Sequence, residues 1–453
     1  MIFQQIHKEQ QEFFHSQKTK SIKYRKMQLE LLRDVIKKRE KEFYTAIDKD
    51  FGKSEFDTYT TEISFLYNDI EFYLKNLNRL AKPKRVKTNL ANQLGKSSVI
   101  KEPLGNVLVI GAWNYPYQLT LSPAIAAIAA GNTVIVKPSE IASHTSRLMV
   151  ELINSTFSRE FLYALEGDAE ITSALLKLKF DKIFFTGSTR VGKIIYEAAA
   201  KQLTPVTLEL GGKSPVIVSE YADVDLAAKR IVWGKFINGG QTCVAPDYIL
   251  VDKKVQGKFL EHLRRYIDTF AYKVDSPHYS RIINDKNFQR LVGLIDSEKI
   301  YCGGGSNPLT RFIEPTVLFP VAWEDKVMED EIFGPILPVL SFHTFSEALH
   351  AISQREKPLA AYLFSNNSKE KKAFSERISF GGGCINEVVM HLSNENLPFG
   401  GVGNSGMGNY HGEYGFDTFS HKKAILDRMT WGEPPLRYPP YTDSKLNWIK
   451  RLL

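Results

Sequence analysis

The stretch Val107-Leu-Val-Ile-Gly-Ala-Trp-Asn-Tyr-Pro116 opens on four aliphatic residues and closes on a glycine-led turn. A short continuous apolar run is what a strand buried on both faces looks like, and Val107–Ala112 is read as one. An Ala-rich helical segment follows it, then a second run, Thr133-Val-Ile-Val-Lys137. A helix over about Ser143–Asn154 leads to a third run near Phe161–Leu165. Another, about Ala169–Leu178, leads to a fourth, Lys182-Ile-Phe-Phe185. Strand and helix in alternation predict a parallel, doubly wound sheet of the kind that binds nucleotides at its strand C-termini.

Upstream of this sheet the periodicity is helical, with apolar residues three and four apart over Glu30–Lys41 and Glu62–Leu80. Pro83 ends the second helix in a basic stretch, Lys82–Lys87, and Ser97–Glu102 reads as a bridging strand. Downstream, a second region begins near Glu209, with strands at Val216–Ser219, Tyr248–Asp252 and Ile336–Phe342. Its helices lie near Leu226–Gly234, Val255–Tyr272 and Phe345–Gln354. Glycines crowd Gly381–Gly383, Gly400–Gly401, Gly403, Gly406 and Gly408, a density that predicts backbone packed closely on backbone.

The chain's 453 residues are enough for two or three cored domains, and 43% apolar with 24% charged residues excludes a disordered or collagenous chain. Three cysteines are too few to staple it, which favours a reducing compartment and free thiols. The most apolar run, Leu119–Ala130, contains Ser122 and Pro123 and is too short to span a membrane. The N-terminus is too polar for a signal peptide. Of the net charge of +8, the first 100 residues hold 20 Lys+Arg against 13 Asp+Glu, so +7 resides there. Solvated lysines on amphipathic helices account for that excess; a nucleic-acid or membrane-surface role is the competing reading.

Three motifs carry candidate chemistry. In Gly239-Gly-Gln-Thr-Cys243-Val-Ala-Pro246, glycines before a cysteine allow a tight turn and close approach of a substrate. A nucleophilic thiol has to be accessible and held where its thiolate is stabilised, and the N–H groups that follow could hold an oxyanion. The alternative is a small buried hydrophobe, which is how Cys302 and Cys384 are read. In Val206-Thr-Leu-Glu209-Leu-Gly-Gly, a lone carboxylate in an apolar strand should have a raised pKa, as a general base needs. Pairing with a nearby cation is equally compatible with that motif. Asn114, where the first buried strand ends, can donate an amide N–H to a developing negative oxygen, or can simply be a turn asparagine.

Two further segments suit a dinucleotide. Lys137-Pro-Ser139-Glu140 offers a cation, a hydroxyl and a carboxylate for ribose hydroxyls. Phe185-Thr-Gly187-Ser188-Thr-Arg-Val-Gly192 has the small residues that let a pyrophosphate reach a helix N-terminus. No G-x-G-x-x-G follows the apolar runs of the first sheet, there is no P-loop or zinc spacing, and the ten histidines, His391 included, read as ordinary surface or core residues.

Together these motifs, in this order, resemble the aldehyde dehydrogenase superfamily nearly end to end, up to Phe419, and its class 3 branch most closely. GAWNYP at 111–116, GQTCVAPDY at 240–248, CINEVVMH at 384–391 and GNSGMGNYHGEYGFDTFSHKK at 403–423 carry the likeness. The resemblance implies an α/β fold with a doubly wound, Rossmann-like cofactor domain (1–80 and 103–208) and an α/β catalytic domain (209–414). Bridging and oligomerisation segments (81–102 and 415–453) complete it, with a homodimer as the assembly. It implies Cys243 as nucleophile, Glu209 as general base and Asn114 as oxyanion donor. Lys137, Ser139 and Glu140 match the adenosine-ribose region, and Gly187, Ser188 and Gly192 the pyrophosphate turn. Glu331 and Phe333, in Glu331-Ile-Phe333-Gly-Pro, match the nicotinamide segment; Tyr115, Asn386 and Phe399 match the substrate funnel.

The implied activity is oxidation of medium- or long-chain aliphatic or aromatic aldehydes to acids, through a cysteine thiohemiacetal and a thioester. NAD is the expected cofactor, because Glu140 repels a 2′-phosphate, with NADP possible. No metal and no nucleic-acid partner are expected. The short, mixed end Trp448-Ile-Lys-Arg-Leu-Leu453 lacks a long apolar tail, so a cytoplasmic enzyme without integral membrane association is expected. A CoA-acylating enzyme is the near alternative, disfavoured by the presence of Glu209. A non-catalytic binder using the basic N-terminal segment is the distant one.

Overall fold

The computed structural model describes residues 2–274, 276–433 and 435–452. Met1 and Leu453, the ends of two segments assigned above, lie outside the described residues. The apolar runs form the core of a six-stranded sheet, in the order Gly406–Met407, Val206–Glu209, Lys182–Thr186, Asn106–Ile110, Thr133–Lys137, Leu162–Ala164. All neighbours are parallel except Gly406–Met407, which runs antiparallel to Val206–Glu209. From Asn106–Ile110 the chain builds outward on one side through Leu162–Ala164, then crosses to Lys182–Thr186 on the other. That reversal opens a crevice beyond the C-terminal ends of Asn106–Ile110 and Lys182–Thr186, where a ligand fits this architecture.

A second sheet has seven strands, in the order Ile300–Cys302, Thr316–Leu318, Ile336–Phe342, Tyr248–Asp252, Pro215–Val218, Ala360–Phe364, Gly382–Ile385. Only Ile300–Cys302 is antiparallel to its neighbour. A third, antiparallel sheet joins Lys84–Val86, Gly95–Pro103 and Ser420–Arg428. The basic stretch after Pro83 is therefore the exposed edge of that sheet. Lysine and arginine on an edge strand oppose pairing with another chain, which gives them a structural reason to be there.

The long N-terminal helix outruns its predicted bounds because its capping residues lie beyond the apolar pattern. The spacing predicts helix over Glu30–Lys41, and the helix runs from Ile22 to Phe51. Ser21 starts it by accepting the Tyr24 N–H, and Gly52, at φ 65°, ends it in the left-handed region. Glu62, predicted as the start of the next helix, instead lies in a widened turn, Tyr59–Ile63, and the regular helix is Ser64–Leu80. The Ala-rich segment is a helix, Gln118–Ala130, buried along its whole length. The buried Arg25 donates to the Ala129 carbonyl at its C-terminal end. In the glycine-dense region, a Cβ at Gly400 would meet the Gly408 carbonyl and one at Gly406 the Leu208 carbonyl. Backbone packed on backbone thus ties this region to the first sheet.

Candidate active site

Helix Val224–Phe236 delivers the chain into a turn where Asn238, Gly239 and Gly240 have φ of 54°, 62° and 73°. A Cβ at Gly240 would collide with the Gly334 carbonyl, so the turn closes only with glycine there. Cys243 follows, and its loop is fastened to the Gly111–Pro116 loop at the end of the first sheet's central strand. The Asn238 amide donates to the Asn114 carbonyl at 2.8 Å, and the Asn114 amide donates to the Gln241 carbonyl at 3.1 Å. The Tyr115 hydroxyl and Thr242 Oγ1 are 2.6 Å apart. Gln241, fully buried, donates to the Asn238 and Arg281 carbonyls and accepts the Ile283 N–H. One Asn114 amide hydrogen is committed to Gln241, which leaves the other to donate.

The glycine-flanked setting predicts a stabilised thiolate, and the structure reverses this. Burial pushes the Cys243 thiol up to about 12, and ionisation of the neighbouring Glu331 or Glu209 carboxyl adds to the push. The N–H groups of Cys243 and Val244 face the sulfur and oppose it without prevailing. In this state the group is a thiol, and ionising it requires positive charge or a changed carboxyl charge beside it.

Glu209 ends the strand Val206–Glu209, and both of its carboxyl oxygens are buried without a partner. Burial alone drives its pKa well above the ordinary value, as the apolar motif predicts. Among the described residues no cation pairs with it, so of the two readings left open by the motif the lone carboxyl is the one observed. Glu331 is a second, half-buried acid, pushed up to about 8 by desolvation and by the charge of Asp247. The Gly212 N–H, Lys213 and Arg290 pull against that shift. Phe333, at φ 49°, turns its ring edge-on to Trp113 with centroids 5.3 Å apart.

The dinucleotide candidates line one end of the first sheet. Lys137 is buried, with its ammonium 2.9 Å from Glu140 and 3.2 Å from the Pro138 carbonyl, and Ser139 Oγ accepts the Ile141 N–H. Gly187 donates its N–H to the Glu209 carbonyl, and Ser188 caps helix Thr189–Ala200 by accepting the Val191 N–H. Gly192 lets that helix pack against Leu210, whose side chain a Cβ would strike. Four helices begin along this end of the sheet, and three of their N-termini are already filled by carboxylates. Asp168 accepts the Glu170 and Ile171 N–H groups of helix Ala169–Leu175. Glu62 accepts the Tyr117 and Gln118 N–H groups; Asp50 accepts those of His144 and Thr145. Helix Thr189–Ala200 has only the Ser188 hydroxyl, and Thr186 Oγ1 beside it is buried without a partner. The donors at this terminus fit the phosphates of a dinucleotide.

The funnel candidates divide. Tyr115 lies at the thiol loop. Phe399 stacks on His391 and His411 and packs edge-on to Tyr410, whose hydroxyl feels the charges of Glu209 and Cys243. Asn386 is engaged elsewhere: at φ 58° it accepts the Ser365 N–H at 2.9 Å and donates its own to the Leu363 carbonyl. Its carbonyl is also held by Arg230. His391 is half-buried and held at about 4 by burial, with Nδ1 3.6 Å from Cys384 Sγ. Tyr410, Thr242, Lys53 and Glu62 were not singled out from sequence. Glu62 was detectable, since it stands four residues before Leu66 and eight before Ile70 on a buried face.

Among the described residues no helix is long and apolar enough to cross a membrane, and no cluster of His, Cys, Asp or Glu could hold a metal ion. A 4,4'-diaponeurosporen-aldehyde dehydrogenase of Staphylococcus aureus (strain NCTC 8325 / PS 47) is 46% identical over 99% of this chain and 98% of its own. The rat aldehyde dehydrogenase described as dimeric and NADP-preferring is 46% identical over 96% of each chain. A solved structure described as the substrate-bound state of Staphylococcus aureus AldH superposes with a TM-score of 0.97. It is 45% identical and covers 100% of this chain and 99% of its own. Residues 3–425 match the aldehyde dehydrogenase family, and with a thiol, a buried acid and an amide brought to one crevice of a nucleotide-binding sheet, the chain belongs to that family.

Proposed function

We propose that Cys243, Glu209 and Asn114 carry the NAD(P)-dependent oxidation of aldehydes to carboxylic acids by this enzyme. The observation that supports this most directly is the latch between the Cys243 loop and Asn114, which sets an amide donor beside the thiol. Cys243, once ionised, attacks the aldehyde carbonyl, and the free Asn114 N–H with the Cys243 backbone N–H stabilises the oxyanion of the thiohemiacetal. The nicotinamide, when bound, is the hydride acceptor. Phe333 and Glu331 flank its site, and the acyl group is left as a thioester on Cys243. Glu209, once ionised, takes a proton from water, which attacks the thioester and frees the acid. Tyr115 and Phe399 border the funnel through which the aldehyde arrives.

Lys137, Ser139 and Glu140 hold the adenosine ribose, and Gly187, Ser188 and Gly192 form the pyrophosphate turn. Glu140 repels a 2′-phosphate, while Lys137 at 2.9 Å offsets part of that repulsion, so NAD is preferred and NADP tolerated. Residues 1–80 and 103–208 form the cofactor domain, 209–414 the catalytic domain, and 81–102 with 415–453 the bridging segments. On the latter, Val86, Leu94, Ile425, Leu426 and Trp431 leave apolar surface exposed, which supports a homodimer. Three free cysteines suit a cytoplasmic enzyme. The apolar walls favour medium- or long-chain aliphatic or aromatic aldehydes. The test is NAD(P)H production over an aldehyde chain-length series with each cofactor. Turnover is expected from the native enzyme and none from Cys243→Ala; turnover that survives in Cys243→Ala sinks the assignment.

A further inference from the structure

Lys53 and Glu62 form an ion pair at 3.1 Å whose side chains are 1% and 0% exposed. Burial pushes the Glu62 carboxyl above its ordinary value, and Lys53 with the Tyr117 and Gln118 N–H groups opposes that push. A buried pair of this kind contributes little to stability over an apolar replacement, because desolvation consumes the Coulombic gain. Its location suggests what else it does. Glu62 Oε2 accepts the Tyr117 N–H at 2.8 Å and the Gln118 N–H at 3.3 Å, at the start of helix Gln118–Ala130. That helix has no side-chain cap of its own, so a carboxylate from 55 residues upstream supplies what a local Ser or Asp usually does. The other partner, Lys53, sets its ammonium 4.4 Å from the centroid of the Tyr115 ring. The Tyr115 hydroxyl in turn meets Thr242, the residue before Cys243.

We propose that Lys53 and Glu62 are positioning residues for the reaction: together they clamp residues 114–118 from both sides, fixing the Asn114 amide against the Cys243 loop. Glu62 anchors the loop's exit into the helix, and Lys53 braces Tyr115 in its middle. Neither residue touches the reacting atoms. Glu62 lies in the wide turn Tyr59–Ile63, four residues before Leu66 and eight before Ile70, and enters the interior on that buried face. The inference rests on the reading of Asn114 as oxyanion donor, since a clamp on that loop affects the rate only through the groups the loop carries.

A double-mutant cycle between Glu62→Gln and Asn114→Ala separates positioning from general support. The readout is the rate of the first-turnover NAD(P)H burst on the full-length enzyme with a simple aldehyde, alongside the KM for the cofactor and the melting temperature. Glu62→Gln is expected to slow the burst about tenfold with the cofactor KM unchanged, and to slow it less than about twofold in the Asn114→Ala background. If Glu62→Gln does not fold, Lys53→Met/Glu62→Gln leaves no buried charge unpaired and is used in its place. The same slowing in both backgrounds overturns the proposal and leaves the Asn114 reading standing. An unchanged burst in Asn114→Ala alone overturns that reading and the clamp with it.

Discussion

Gly187 donates its backbone N–H to the Glu209 carbonyl at 3.0 Å. The turn proposed for the pyrophosphate and the acid proposed for water activation are thereby ends of adjacent parallel strands, held in register by Thr186 opposite Glu209. A cofactor seated on that turn and the Glu209 carboxyl are placed by one rigid sheet, so binding the first does not require rebuilding the second.

The first prediction concerns the two half-reactions. Glu209→Gln keeps the shape of the side chain and the backbone bond to Gly187, but removes the group that takes a proton from water. General-base catalysis typically contributes about two to four decades in rate. The variant is expected to release one NAD(P)H per Cys243 in a burst and then turn over at least a hundredfold or so more slowly. Quenched-flow absorbance at the nicotinamide band measures both phases. A steady-state rate equal to that of the native enzyme removes Glu209 from hydrolysis.

Asn114 should act before that step. Its amide has one hydrogen on the Gln241 carbonyl and one free, so Asn114→Ala deletes both a donor and a strut of the loop. Loss of one oxyanion donor costs roughly 3–4 kcal/mol of transition-state stabilisation, or about two to three decades in kcat. The slowing should appear in the burst itself, unlike that of Glu209→Gln. A normal burst with slowed turnover would show that Asn114 does not serve the attack on the aldehyde.

The buried Glu209 also sets a sign for stability against pH. Its folded pKa lies well above the ordinary 4.5 because burial penalises the charged form. Between 4.5 and the raised folded value the native state therefore keeps a proton that the unfolded chain has lost. Stability contributed by this group falls as pH rises through that window, by about 1.4 kcal/mol per pH unit for one proton. Glu209→Gln has nothing to ionise and should lose this slope, melting above the native enzyme at neutral pH and converging with it near pH 4. Differential scanning calorimetry across that range checks it; parallel melting curves for the two proteins count against a protonated Glu209.

How far these features were legible in the sequence follows from the range of the interactions that make them. Thr133–Lys137 and Tyr248–Asp252 were readable to the residue, because a continuous apolar run needs no knowledge of its neighbours. The elevated acid at Glu209 was readable for the same reason, as a lone charge among aliphatic residues. The raised thiol at Cys243 was not, because it is set first by burial and then by Glu331 and Glu209, and only the fold brings either about. The burial of Glu62 was legible from its spacing to Leu66 and Ile70, but its partners and those of Lys53 were not, because they lie across the interface between the N-terminal helices and the first sheet. Asn386 carries a motif visible in sequence, yet its hydrogen bonds, to the Leu363–Ser365 segment and Asn366, belong to loop architecture.

The stack His391–Phe399–His411 supplies a final test, at the acid end. Its rings lie nearly parallel, with centroids 6.1 Å and 5.1 Å apart. Burial holds both imidazoles near 4, and the charge of His391 adds to the depression of His411. Each is therefore neutral in the fold at neutral pH, while in the unfolded chain each takes up a proton as pH falls below the ordinary 6.5. The unfolded state binds more protons between 6.5 and 4, so stability from these groups is complete above 6.5 and is lost as pH falls toward 4. A shift of this size is worth about 3 kcal/mol per histidine, less for the two together because they interact. Replacing either with glutamine removes a titrating group and should move the acid unfolding midpoint, followed by tryptophan fluorescence, to lower pH than in the native enzyme. The doubly substituted chain should fall short of the sum of the two shifts. If neither replacement moves the midpoint, the acid transition is governed by other groups and the neutral stack is not what makes this fold sensitive to acid.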